Sequence, residues 1–161
     1  MTDIYLRPLQ IDDAKTSYKW RNDPRIWEHT GSRPTCEITL EMEEEWMRKV
    51  LNDSDSKRFA ICLRDDDRYI GNVYLINIEW GKKSGEEGLF IGDVGLWGCG
   101  IGTRARLELH RIAAEEYGIR EILSRIRIDN VGSYKSALRA GFVERKRDSE
   151  WITLGKMICD K

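Results

Sequence analysis

The sequence predicts an α/β (α+β) fold, a single mixed sheet with helices covering it, and three observations carry that expectation. Candidate elements follow one another in the order β-α-α-β-β-β-α-β-α-β-β. Apolar positions switch from segment to segment between a period of two and helical spacing. A glycine cluster at 97–103 joins a central strand directly to a helix, and parallel pairing around that unit would place a ligand at the carboxyl end of the strand.

Ile4-Tyr5-Leu6-Arg7-Pro8 alternates and stops at proline, so it reads as a first, edge strand. Asp12 or Asp13 is positioned to cap a helix that runs through Trp20 until Asn22-Asp23-Pro24 breaks it. A second helix starts after Thr39, with Glu41, Glu43, Glu44 and Glu45 near its positive end. Leu40, Trp46, Met47, Val50 and Leu51 supply its apolar stripe, and Asn52-Asp53-Ser54 ends it. Arg58 to Leu63 and Tyr69 to Glu79 form a hairpin about the acidic turn Asp65-Asp66-Asp67. After a Gly81–Gly85 loop comes the short strand Gly88–Gly92, where Gly88 suggests a bulge or a close backbone approach. The helix after the glycine cluster carries Ala105, Leu109, Ile112, Ala113 and Tyr117 at helical spacing and stops at Gly118. Ile122, Ser124, Ile126 and Ile128 share one strand face, Asn130 to Ala140 is helical, and extended chain returns from Phe142 through Trp151 to Ile158.

At 161 residues the chain is the size of one domain, expected to span 1–161 without a linker. Its 40% apolar and 34% charged residues are a globular balance. A net charge of −1 offers no global footprint for nucleic acid or an anionic membrane. That total hides an asymmetry: residues 97–147 hold 11 Lys and Arg against 6 Asp and Glu, so this part of the chain favours an anion. Cys36, Cys62, Cys99 and Cys159 lack C-x-x-C spacing, and the N-terminus has no apolar leader, which together point to a soluble, reduced, cytoplasmic protein. His29 and His110 are too isolated for a metal site.

Gly98-x-Gly100-x-Gly102 opens a helix near Thr103 whose unpaired N–H groups favour phosphate oxygens. It is neither a Rossmann fingerprint, which needs G-x-G-x-x-G and an acidic ribose partner, nor a Walker loop, which needs Gly-Lys-Ser/Thr. A glycine-rich turn without a ligand is the bland alternative.

The run Gly88-Leu-Phe-Ile-Gly-Asp-Val-Gly-Leu-Trp97-Gly-Cys-Gly-Ile-Gly-Thr103, with Asn130-Val-Gly-Ser133 and Ala140-Gly141-Phe142, resembles the GNAT superfamily of N-acetyltransferases. The branch it resembles contains the ribosomal-protein N-terminal alanine acetyltransferases, in which Trp97 takes the first position of the superfamily's Arg/Gln-x-x-Gly-x-Gly/Ala motif. The resemblance implies a centrally splayed sheet, acetyl-CoA as cosubstrate without a metal, and transfer to a primary amine by direct attack in a ternary complex. It implies that N–H groups from Gly98, Cys99, Gly100, Ile101, Gly102 and Thr103 hold the pyrophosphate, with pantetheine between two strands. Arg104 and Arg106 would add phosphate contacts or form a solvated basic helix face.

The same resemblance gives Glu86 the position of a general base, acting directly or through water, with Glu87 on the opposite face of a regular strand. Backbone N–H around Leu89, Phe90 and Ile91 would face the thioester carbonyl. The usual general-acid tyrosine position holds Ala137, and Tyr134 is displaced along the helix, so Ser133 is the candidate proton donor. Ser133 could equally satisfy backbone donors at a helix start, and Asn130 could bond pantetheine or cap the helix. Trp20, Arg21, Asn22 and Trp27, in the segments Trp20-Arg21-Asn22-Asp23-Pro24 and Trp27-Glu28-His29, would border the acceptor pocket. Similar segments occur in acetyltransferases acting on amino groups of nucleotide-linked sugars, which is one alternative acceptor. A non-catalytic CoA-binding module is another alternative, kept open by Ala137. An oligomer is compatible with the sequence.

Overall fold

The computed structural model of the protein describes residues 2–30 and 33–158. Cys159 lies outside the described residues, as does the side chain of His29. The elements are β1 (Ile4–Pro8), α1 (Ala14–Arg21), α2 (Pro24–Thr30), α3 (Leu40–Leu51), β2 (Lys57–Leu63), β3 (Tyr69–Glu79) and β4 (Ser84–Ile91). They continue with α4 (Ile101–Tyr117), β5 (Glu121–Arg127), α5 (Val131–Arg139), β6 (Val143–Arg147) and β7 (Trp151–Met157).

A 7-stranded sheet runs in the order β1-β2-β3-β4-β5-β7-β6. Every neighbouring pair is antiparallel except β4 and β5, which α4 connects as a parallel unit. This mixed α/β sheet carries helices on both faces, and the alternation of β2 shows how. Phe59 and Ile61 point into a core shared with Ala105, Leu109 and Ile112 of α4, whereas Ala60 and Cys62 face Met47 of α3. Leu109 and Ile122 are fully buried, and each such side chain contributes roughly 1.5–3 kcal/mol of transfer free energy.

Parallel pairing of β4 with β5 is confined to Ser84–Glu87 opposite Glu121–Ser124. Both strands run on beyond it, β4 to Ile91 and β5 to Arg127, so they diverge and open the sheet at its centre. Helix α2 packs against both diverging strands.

Four details depart from the sequence expectation. Helix α1 ends before Asn22-Asp23-Pro24 as expected, but Pro24 then begins a further, unanticipated helix, α2, because its missing N–H and fixed φ suit the first helical position. Asp13 does not cap α1 with its side chain; its carboxylate accepts from Gln10 N at 2.8 Å and pairs with Arg7 at 2.7 Å. Strand β4 begins at Ser84 rather than Gly88, which places Glu86 and Glu87 inside the strand. On α3 the buried positions are Glu43 and Met47, while Leu51 faces solvent.

Candidate active site

The glycine run is shaped by backbone conformation. Gly98 and Gly100 have φ of 78° and 80°, a region closed to most side chains, and Gly100 is the N-cap of α4. No side chain caps this helix, and its first internal bond is Arg104 N to Gly100 O, so the N–H groups before it remain directed outward. The Trp97 indole donates to Ile91 O at 3.0 Å, which ties the turn to the open end of β4.

A cavity of about 560 Å³ lies between the end of β4, this turn and the first half of α5. It gathers Leu89, Phe90, Ile91, Trp97, Gly98, Gly100, Ile101, Gly102, Thr103, Asn130 and Ser133. Lys135, Ser136 and Arg139 of α5 join them and were not anticipated. The basic side chains Lys135 and Arg139 and the uncapped N–H groups of the glycine turn suit a polyphosphate, and the volume suits an extended arm. The N–H of Gly92 donates to Ile70 O at 2.7 Å. By the alternation of an antiparallel ladder, Gly88 and Phe90 are then committed to β3, while the backbone groups of Leu89 and Ile91 face the opening.

Cys99, Arg104 and Arg106 do not line this cavity. Arg104 turns to the N-terminus, donating to Thr2 O at 3.0 Å and pairing with Asp3 at 3.4 Å. Arg106 is neither a phosphate ligand nor a solvated helix residue. It is 1% exposed and its guanidinium pairs with Glu87, itself 3% exposed. Two positions along a helix are about 200° apart, so Arg104 and Arg106 point to different faces.

Around Glu87 a buried charged cluster joins four elements. Glu87 on β4 also meets His110 Nε2 of α4 at 2.6 Å, and Lys156 Nζ of β7 donates to His110 Nδ1 at 3.0 Å. With Nδ1 accepting from the ammonium, Nε2 carries the hydrogen and donates to Glu87. Burial pushes the Lys156 ammonium below its ordinary value, against the pull of Glu87. Arg106 Nη2 donates to Ser133 Oγ of α5 at 2.8 Å, and Arg106 Nε donates to Ser136 Oγ at 3.0 Å. Ser133 therefore accepts from a cation and keeps its own hydrogen free. The cap of α5 is Asn130, whose side chain accepts from Ser133 N at 3.3 Å. Tyr134 points elsewhere, donating to Glu144 on β6 at 2.8 Å.

A second cavity, of about 210 Å³, opens on the other face of the sheet under α1, α2 and α3. Trp20, Arg21 and Trp27 line it, as do Glu43, Trp46, Arg58, Asn72 and Tyr74. Asn22 does not: its amide exchanges bonds with Ile38 N and Ile38 O, both at 2.8 Å, and clips the end of α1 to the approach to α3. Glu43 is consumed by Arg21 and Ser17, each at 2.8 Å. The Tyr74 ring lies over Gly88, where a Cβ would stand 2.3 Å from it, and burial pushes its phenol up. Glu86 shares this face of β4 but lines neither cavity; its carboxylate accepts from Asn77 at 3.2 Å.

Ile26, Leu89 and Phe90 line both cavities. The two spaces therefore adjoin at the opening between β4 and β5, with α2 across it.

Residues 3–143 match the family model of the acetyltransferase (GNAT) domain. No curated protein matches the chain. Among solved structures the fold is similar to that of a spermidine N-acetyltransferase from Vibrio cholerae in complex with CoA and spermine. That protein is 19% identical, with 96% of this chain and 95% of that one covered and a TM-score of 0.85. A domain from Methanocaldococcus jannaschii DSM 2661 is 24% identical over 98% of this chain and 99% of that one, with a TM-score of 0.79. A dodecameric form of the Vibrio cholerae enzyme in an intermediate state gives 20% identity, 96% and 94% coverage and a TM-score of 0.77.

Proposed function

The chain belongs to the acetyltransferase (GNAT) domain family and is an acetyl-CoA-dependent N-acetyltransferase of amines; from that premise we propose that the larger cavity takes CoA and the smaller one the acceptor. The observation that supports this assignment is the shared lining by Ile26, Leu89 and Phe90, which lets an amine on one side meet an acyl group on the other. The uncapped N–H groups of the Gly98–Thr103 turn, with Lys135 and Arg139, would hold the phosphates.

When bound, acetyl-CoA supplies an electrophilic thioester carbon. Leu89 N–H, facing the opening, donates to the carbonyl oxygen as negative charge grows there. Glu86 takes the amine proton through a water, since its carboxylate lies on the acceptor face but outside the cavity. Ser133 gives its hydroxyl hydrogen to the departing sulfur, and the Arg106 donor at 2.8 Å stabilises the oxyanion left behind.

The finer placement beside ribosomal-protein N-terminal alanine acetyltransferases is supported by Trp97 and Ser133. Peptides beginning with alanine therefore belong in the acceptor panel, together with amino sugars and spermidine. Calorimetric CoA binding and acetyl transfer by wild type, Glu86→Gln and Ser133→Ala test the assignment. Each variant is expected to lose roughly a hundredfold in kcat with CoA affinity kept. Unchanged turnover in both across pH removes these two residues from the mechanism.

A further inference from the structure

Among the described residues, the acceptor-side cavity contains a cation that forms no ion pair, Asp53 acting on it only from a distance. Arg58 lies on the β2 face that also carries Ala60 and Cys62, and its guanidinium is held between the rings of Trp46 and Tyr74, at 5.2 Å and 4.8 Å from their centroids. Its Nε is buried without a hydrogen-bond partner. Burial lowers the affinity of this guanidinium for its proton, the sign of a charge kept from water. Among the described residues the cavity's one carboxylate is Glu43, and Arg21 and Ser17 already occupy both of its oxygens. Arg21 and Arg58 against Glu43 leave the lining with a net positive charge. A half-buried cation packed between aromatic faces, with its Nε unbonded, is poorly compensated until an anion reaches its donor edge.

We propose that Arg58 forms an anion subsite, so that the acceptor amine carries a carboxylate or phosphate group which docks on its guanidinium. The proposal rests on the assignment of the smaller cavity to the acceptor. The fixed aromatic stack orients the planar fork for two parallel hydrogen bonds to an oxyanion. A polyamine finds the opposite: its ammonium groups would face Arg58 with no free carboxylate in the cavity lining to receive them.

The test compares kcat/KM for matched acceptors: O-phosphoethanolamine against ethanolamine, β-alanine against propylamine, and spermidine. Wild type should favour the anionic member of a pair by roughly tenfold or more, and the two pairs distinguish phosphate from carboxylate. In Arg58→Gln the ratio should fall to about one, while Arg58→Lys keeps part of it as a point charge without the fork. A wild-type ratio near one, a preference for spermidine, or a ratio unchanged in Arg58→Gln overturns the subsite and leaves the two-cavity assignment standing. Absence of acetyl transfer to every amine despite CoA binding overturns the assignment itself, and the subsite with it.

Discussion

Replacing Arg106 by Met removes the partner of a buried carboxylate. Arg106 is 1% exposed and Glu87 3% exposed, so the charge left behind has almost no access to water. His110 at 2.6 Å remains as its one direct donor. Truncating one member of a buried pair costs about 3–5 kcal/mol, and His110 places Arg106→Met towards the lower end. Domains of this kind are stable by roughly 5–15 kcal/mol, so the change is large but leaves a folded protein to measure. With an m-value of about 2 kcal/mol/M, the urea midpoint should fall by roughly 1.5–2 M at constant m. Six tryptophans make fluorescence a suitable probe. Glu87→Gln should behave similarly, and the double variant should lose much less than the sum, because no unpaired charge remains. A loss below about 1 kcal/mol in Arg106→Met, or additivity in the double variant, would refute the claim that Glu87 and Arg106 act as one buried unit.

Two further outcomes follow from the same geometry. Gly88→Ala sets a methyl group 2.3 Å from the Tyr74 ring, so the ring must shift within the smaller cavity; if that cavity takes the acceptor as proposed, roughly tenfold loss of kcat/KM is expected with CoA affinity kept, measured by calorimetry and steady-state rates. Glu144 is held at about 2 by hydrogen bonds from Arg147 first and Tyr134 second. A depressed carboxylate stabilises the fold above its ordinary value of about 4.3 and loses that contribution as pH falls towards about 2. The difference in Tm between wild type and Glu144→Gln should therefore shrink over that window, and salt should shrink it further because the group is partly open to solvent.

What was legible in the chain was whatever the backbone itself demands. Gly98 and Gly100 sit where positive φ leaves few other choices, so the loop, its helix and the parallel unit around them were readable. Period-two alternation located β1 and β5, the acidic turn marked β2 and β3 as a hairpin, and β6 and β7 were legible only as extended chain, β6 having no buried face to reveal it. Strand β4 was misplaced because Gly88 and Gly92 looked like its limits, and the error left Glu86 and Glu87 outside it. Helix α2 was missed because proline ends helices from within but favours their first turn, and the sequence Asn22-Asp23-Pro24 fits both. Arg58 carried a usable signal: it shares a strand face with Ala60 and Cys62, so the pattern placed a cation over an apolar layer. The spacing of Arg104 and Arg106 likewise excluded a common role.

The charged cluster also explains how the sheet can open where it does. Glu87 opposite Ser124 is the last parallel pair, so the carboxylate stands at the vertex from which β4 and β5 diverge. Arg106 reaches that vertex from α4 and carries on to Ser133 and Ser136 of α5, while Lys156 brings in β7 through His110. Apolar side chains would fill the same volume at similar or lower free energy. They would not set directions, whereas a planar guanidinium bonded at both ends sets the separation of α5 from β4. The wall of the larger cavity formed by α5 is thus referenced to the strand that forms its opposite wall. Ser133, the candidate proton donor, is held by the same guanidinium. Loss of Arg106 should therefore change the position of that hydroxyl as well as the stability of the fold.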